Sequence, residues 1–274
     1  MTTNNGCVDD VNEDVEIFPL PTADFNVTND CFYEDINFQN ASSPNATIFE
    51  WDFDDGSPVN NNENPNHLYS NAGNYDVTLI IATPDGCGDT ITKNATAYAQ
   101  PNPDFTIDPV CLNETSQFTD ASAINPVDGD IVDTWEWDFG DGNTSVQQNP
   151  TNVYGSENVY DVELVVTSNY GCKDSVNIDA TVWPLPQVDF TPTDVCLETE
   201  TPFQDQTTIS NQFTNNSIVN WSWDFGDGGL STDQNPTHSY QNDGTFTANL
   251  EATSNNGCVN DSSIEVTVHP KPEA

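Results

Sequence analysis

The chain has 274 residues, 35% of them hydrophobic and 10% aromatic, with 3 Lys+Arg against 45 Asp+Glu and a formal net charge of −42. That charge excludes nucleic-acid binding, which needs a basic surface, and attraction to anionic membrane surfaces; no run of about 18 apolar residues exists to cross a bilayer. The aromatic content, six Trp included, separates the chain from disordered acidic tails and points to small folded domains with thin cores.

In chain order, residues 2–21 (TTNNGCVDDVNEDVEIFPLP) match residues 253–272 (TSNNGCVNDSSIEVTVHPKP). Residues 1–20 are therefore expected to be the last hairpin of a preceding copy of a repeat, and the chain a piece of a longer one. Each copy then opens on a Pro-rich joint and an Asp-Phe pair: PTADF (21–25), PNPDF (101–105) and PQVDF (186–190). Cys31, Cys111 and Cys196 follow the first strand of each copy. Next come IFEWDFDDG (48–56), TWEWDFGDG (134–142) and NWSWDFGDG (220–228), then NPNHLY (64–69), NPTNVY (149–154) and NPTHSY (235–240). Large aromatics alternate with polar residues in the tryptophan segments, which predicts strands with one buried face, and Asp-Gly after them suits a tight turn with positive φ. YDVTLII and YDVELVV read as strands, and a Gly-Cys turn leads each into a last strand such as DTITKNATAY. The copies are expected at 21–100, 101–185 and 186–270, with 271–274 starting the next linker. No segment has helical periodicity. Strand spacing predicts an all-β chain of three tandem immunoglobulin-like sandwiches, arranged as a rod of about 100–130 Å if the copies stand end to end.

The succession W-x-W-D-F-G-D-G, N-P-x-H-x-Y and G-x-Y-x-V-x-L resembles the PKD domain, an immunoglobulin-like module, over nearly the whole chain. Repeat 1 departs from the pattern, with Asp54 where the others have Gly140 and Gly226. The Gly-Cys turn and the Asn/Thr-rich style are similar to long secreted or surface proteins of Bacteroidetes. The resemblance implies spacing, adhesion and accessory roles and carries over no catalytic residue. The expected function is a structural or adhesive spacer of a large extracellular or cell-surface protein, holding a distal binding domain away from the surface. Two alternatives are an accessory carbohydrate- or protein-binding module of a secreted hydrolase and a segment of an extracellular filament, in which residues 1–20 would be a donated strand. Expected partners are neighbouring repeats of the same polypeptide and cell-surface glycans or proteins.

The stripes Phe49/Trp51/Phe53, Trp135/Trp137/Phe139 and Trp221/Trp223/Phe225 fall on one face by period 2 and are expected as core, with Trp51, Trp137 and Trp223 at its centre. A sugar-binding module would need a further row of exposed aromatics, for which only Tyr170 and Phe213 offer themselves. His67 and His238 share a repeat position that repeat 2 fills with Asn152, so a catalytic or metal role is excluded and a partner among nearby backbone groups is expected. No Ser-His-Asp, H-E-x-x-H or phosphate loop is present, and no enzyme is expected.

Repeat 2 carries DASAINPVDGDI at 120–131. Its VDGDI resembles the loop before the WDF strand in calcium-binding PKD domains, which implies a Ca²⁺ site of Asp120, Asp128 and Asp130, crowded oxygen ligands suiting that ion. A weaker candidate is the set of joint aspartates Asp24, Asp104 and Asp189. The cysteine set argues for export. Its pairing has two readings. Within a copy, the pairs are 31–87, 111–172 and 196–258. In an immunoglobulin sandwich, though, the first-strand turn and the Gly-Cys turn lie at opposite ends, about 26 Å apart along an eight-residue strand, while a disulfide needs Cα atoms within about 7 Å. End-to-end copies would then staple Cys31 to Cys172 and Cys111 to Cys258.

Overall fold

The computed structural model describes residues 16–272 and is all-β, without a helix among the described residues. The expected hairpin over 1–20, and with it the donated strand of the filament alternative, lies almost entirely outside those residues. The chain divides into two compact units. One takes in the chain up to Asn102 with Ser122–Thr134 and Val166–Asp174; the other comprises Pro103–Ala121, Trp135–Val165 and Ser175 onward.

In the first unit, repeat 1 is a two-layer sandwich. One sheet runs in the order Asp30–Cys31, Gly88–Tyr98, Gly73–Ala82 and Ile48–Asp52; the other in the order Phe25–Thr28, Asp35–Asn40 and Asn66–Leu68. Asp30–Cys31 pairs in parallel with the end of the last strand, Cys31 opposite Tyr98. The alternation read from the sequence is the alternation of burial: along Ile48–Asp52, Phe49 and Trp51 point inward and their neighbours outward. Trp51 lies opposite Leu79, and Phe49 opposite Ile81, on the adjacent strand. Phe25, Phe38, Trp51 and Phe53 form the centre of the core with ring centroids 5.1–6.5 Å apart, Phe25 edge-on to Trp51, Phe38 tilted on Phe53 and Trp51 near-parallel to Phe53, within the separations at which aromatic pairs attract.

In the second unit, repeat 3 repeats this plan: Val195–Cys196, Val259–His269, Gly244–Ser254, Ile218–Asp224 and Leu230–Ser231 form the main sheet. The opposite layer is built of the short pairs Phe190–Thr191 with Gln204–Asp205 and Thr201–Pro202 with Thr237–His238. Repeat 2 has the same strand set, its main sheet running Thr144–Ser145, Val132–Asp138, Asn158–Ser168, Lys173–Trp183 and Val110–Cys111.

Trp51, Trp137 and Trp223 are 0%, 2% and 1% exposed, and each indole N–H donates to a backbone carbonyl: Asn62 at 2.9 Å, Gln147 at 2.8 Å and Asp233 at 2.9 Å. The repeat tyrosines Tyr69, Tyr154 and Tyr240 are buried and donate to the carbonyls of Phe53, Phe139 and Phe225 at 3.1, 3.1 and 3.2 Å. The N-P-x-x-x-Y segment is thereby tied to the W-D-F strand in every copy. Burial pushes the phenols of Tyr154 and Tyr240 up to about 12, so these hydroxyls remain donors at ordinary pH. His67 and His238 do not serve the backbone, as expected from sequence, but the Asp of the Asp-Gly turn. Their Nε2 atoms lie 2.7 and 2.9 Å from Asp55 Oδ2 and Asp227 Oδ2, with the imidazoles stacked on Phe53 and Phe225. In repeat 2 the Asn152 amide makes the same bond to Asp141 at 2.9 Å.

The core stripe is narrower than expected in two copies. Phe49 is buried, but Trp135 and Trp221 are only half-buried. Their indole N–H groups reach Asp120 Oδ2 at 2.9 Å and Asp205 Oδ2 at 2.7 Å. Indole needs an acceptor and so stays where a carboxylate can supply one. Repeat 1 has neither half of the pair: Phe49 replaces the indole, and Asn40 stands at the carboxylate position.

Candidate functional site

Side chains that could act beyond a single sandwich collect at the joints, one within each compact unit. In the first unit Cys31 and Cys172 form a disulfide with Cα atoms 5.6 Å apart; in the second, Cys111 and Cys258 do so at the same separation. The local backbone brings these pairs together. Cys31 and Cys111 sit on two-residue strands at the C-terminal end of the last strand of their copy, opposite Tyr98 and Trp183. Cys172 and Cys258 sit in the Gly-Cys turn before the last strand of the following copy, where they are 1% and 0% exposed.

Each staple is flanked by an aromatic contact. The ring of Tyr98 stacks on Tyr170 with centroids 3.8 Å apart and planes 5° from parallel. Trp183 meets Phe213 edge-on at 4.8 Å. Tyr170 and Phe213, the two candidates for a sugar-facing row, are thus engaged at the joints, and Tyr170 also donates from its hydroxyl to the carbonyl of Asp128 at 3.1 Å. Within repeat 2, Asn102 and Ala123 exchange backbone hydrogen bonds of 2.7 and 3.0 Å, and within repeat 3 Gln187 and Thr208 exchange bonds of 2.8 and 3.0 Å, each tying the start of a copy to its own sandwich. The Gln100 amide donates to the carbonyl of Lys173 at 2.8 Å.

Asp130 is central to the first joint. It is 2% exposed, and its Oδ2 accepts the backbone N–H groups of Ala99 at 2.8 Å and Val127 at 3.0 Å. Its Oδ1 is buried without a hydrogen-bond partner. One carboxylate thus clamps the end of repeat 1 to the loop that precedes the tryptophan strand of repeat 2. Asp128 adopts φ +55° within this loop. Asp120 Oδ2 accepts from Trp135 and, at 3.0 Å, from the Gln148 amide, the same arrangement that Asp205 has with Trp221 and Gln234. A calcium ion takes six to eight oxygens; two of the three candidate carboxylates already give an oxygen to N–H donors, and no group of three acidic side chains suited to a metal is assembled among the described residues. The structure does not bring Asp120, Asp128 and Asp130 together as such a group. The joint aspartates Asp24, Asp104 and Asp189 each accept the N–H of the following Phe at 2.9 Å. Asp24 also pairs with Lys93 at 2.6 Å, and that hydrogen bond holds its carboxyl below the ordinary value.

Sequence reasoning missed the roles of Asp130, Tyr170 and Phe213. All three act on residues far along the chain, and local pattern carries no signal for that.

Comparison with known proteins agrees with the architecture. The family model described as PKD domain matches three times, at residues 20–97, 98–182 and 183–268. A microbial collagenase of Vibrio alginolyticus is 35% identical over 89 residues, 32% of this chain and 11% of that protein. Collagenase ColA of Bacillus cereus is 37% identical over 76 residues, 28% of this chain and 8% of that protein. The chain thus spans only about a tenth of the length of these relatives. Among solved structures, the PKD1 domain of the Vibrio cholerae metalloprotease PrtV is similar at 26% identity, covering 31% of this chain and 98% of that one, with a TM-score of 0.28. No helix of the described residues is long and apolar enough to cross a membrane. With three matches that together cover nearly every residue, the chain belongs to the PKD domain family.

Proposed function

We propose that the chain is a stiffened spacer of an extracellular protein, without catalytic activity of its own. The observation that carries this reading is the construction of the joints: in each compact unit a disulfide and an aromatic pair fasten consecutive copies. A linker meant only to connect would not need a buried clamp such as Asp130, and a flexible linker would be Gly/Ser-rich rather than Pro-rich. Disulfides persist in oxidising compartments, which supports placement outside the cell. The acidic surface keeps neighbouring molecules apart at moderate salt.

Small-angle scattering with and without reductant tests this. The oxidised chain should show a narrower distance distribution than the reduced chain. Reduction should broaden the distribution while each copy stays folded. A distribution as broad in the oxidised state as in the reduced one would overturn the reading.

A second reading has support from the collagenase relatives, in which matching segments are small parts of long proteins. Here the copies would serve as an accessory module of a secreted hydrolase. The engagement of Tyr170 and Phe213 at the joints favours the spacer over a module that grips a ligand through exposed aromatics. Retention of the isolated chain on collagen or on insoluble polysaccharide would reverse that preference.

A further inference from the structure

Two cysteines, Cys87 and Cys196, are free in this structure, and each stands at a position that is disulfide-bonded elsewhere in the same chain. We propose that they are the two halves of a third staple, closed between two copies of this chain: Cys196 of one bonds Cys87 of the next, head to tail.

The backbone around Cys196 is that of the bonded cysteines. Cys31, Cys111 and Cys196 pair in parallel with Tyr98, Trp183 and His269. The next residue donates to the carbonyl of that partner at 3.0, 2.8 and 2.9 Å, and the carbonyl of each Cys accepts the N–H three residues on at 3.0, 3.0 and 3.1 Å. The turn closes through a non-glycine residue at positive φ each time, Tyr33 at 68°, Asn113 at 67° and Glu198 at 58°.

Cys87 matches the other partner equally well. The carbonyls of Cys87, Cys172 and Cys258 accept the N–H of Thr83, Ser168 and Ser254 at 2.8 Å in all three copies. The hydroxyls of the same three residues accept the cysteine N–H at 3.2, 3.2 and 3.1 Å. The two free thiols are thus presented by scaffolds already set in the bonded geometry, Cys196 exposed and Cys87 half-buried, the bonded counterparts being Cys31 and Cys111 for Cys196 and Cys172 and Cys258 for Cys87. At the register of Tyr98 and Trp183 stands His269, and at the turn position of Tyr170 stands Asp85, a donor–acceptor pair in place of stacked rings. A contact of one end with the other is heterologous and propagates rather than closing into a two-fold dimer.

The oxidant is a low-molecular-weight disulfide such as oxidised glutathione. The Cys196 thiolate attacks it, forming a mixed disulfide and releasing one glutathione thiolate. The Cys87 thiolate of the second copy then attacks Cys196 Sγ, forming the protein disulfide and releasing the second. Two protein thiols are oxidised, one glutathione disulfide is reduced, and the two protons pass to the released thiolates.

The test uses the whole chain carrying Cys7→Ser, which removes the one cysteine outside the described residues. Cys87→Ser and Cys196→Ser are added singly, and the proteins are oxidised in a glutathione buffer at about 0.15 M salt or above, where the Debye length of about 8 Å lets two acidic chains meet. The Cys7→Ser protein is expected to form a ladder on a non-reducing gel. Either further single variant should lose that ladder completely, and an equimolar mixture of the two should regain a dimer whose only cross-linked peptide joins Cys87 to Cys196. Tryptophan fluorescence checks that both variants stay folded. A mixture that remains monomeric overturns the proposal. So does symmetric dimerisation of either variant alone to the same extent as the mixture, because random thiol collision needs no docking. The scattering measurement above is made on the monomer, so the spacer reading stands or falls separately.

Discussion

Replacing Cys31 and Cys172 together by alanine isolates the contribution of one staple. The bond closes a loop with a sequence separation of 141 residues. In the chain-entropy treatment, opening such a loop restores about 17 cal/mol/K to the unfolded ensemble, a ceiling of about 5 kcal/mol at 25 °C, and native disulfides typically deliver about 2–5 kcal/mol. The second staple has a separation of 147, and because the dependence is logarithmic its ceiling differs by less than about 0.1 kcal/mol. The two double variants should therefore lose nearly equal stability, while Cys87→Ala, which breaks no bond, should lose almost none. Urea unfolding followed by tryptophan fluorescence reads this directly, since each core tryptophan is quenched or exposed with its own copy. A loss under about 1 kcal/mol for the Cys31/Cys172 variant, or an equal loss for Cys87→Ala, would refute the reasoning from loop closure.

The remaining expectations concern the sandwiches and the first joint. His238→Asn should cost under about 1 kcal/mol, because Asn152 already makes the same bond in repeat 2, whereas His238→Leu should cost about 1–3 kcal/mol by leaving Asp227 without it; chemical denaturation compares the two. Burial pushes the Asp227 carboxyl up, but hydrogen bonds from Gly229 and His238 outweigh it and hold the group below 3.8. Its stabilisation is therefore full above pH 3.8 and is lost as pH falls through the lowered folded value, and an acid titration of His238→Leu should show a weaker loss in that window than the parent. Gly226→Ala should cost more than about 2 kcal/mol: Gly226 has φ +81°, its added Cβ would lie 2.4 Å from the carbonyl oxygen of Thr247, and the left-handed conformation alone costs about 1–2 kcal/mol. Asp130→Ala should cost about 1–3 kcal/mol by stranding the buried N–H of Ala99 and freeing the part-buried N–H of Val127, and the melting temperature of the parent should be the same with calcium as with chelator; a calcium-dependent rise of several degrees would point to a metal at this loop.

The all-β layout, the three copies and the central tryptophans were legible because they rest on short-range pattern: alternation of burial along Ile48–Asp52 and a repeated turn chemistry. The substitution of Asp54 for glycine was legible for the same reason. Asp54 takes φ +62° and its carboxylate accepts the N–H of Asp76 at 3.1 Å, so repeat 1 uses a side chain where the others need its absence. What escaped was the use of acidic residues. Asp120 reads as a loop ligand in isolation, yet the column Asn40, Asp120, Asp205 follows the column Phe49, Trp135, Trp221, and the carboxylate is present only where an indole needs an acceptor. Asp130 has no counterpart in the other copies, and its partner Ala99 is 31 residues away, so only the folded joint reveals it.

The charge explains why the joints are built as they are. With 3 basic residues against 45 acidic ones, adjoining copies cannot be held by complementary ion pairs, and a low apolar fraction leaves little surface for a large hydrophobic interface. Mutual repulsion would open a joint that relied on small contacts alone, more so at low salt. A disulfide is indifferent to ionic strength, and a buried carboxylate that accepts backbone N–H groups turns one of the surplus negative charges into an anchor. The cysteine pairs and Asp130 are thus the devices that a strongly acidic chain can still use at its joints, which is why stability there should respond to reductant far more than to salt.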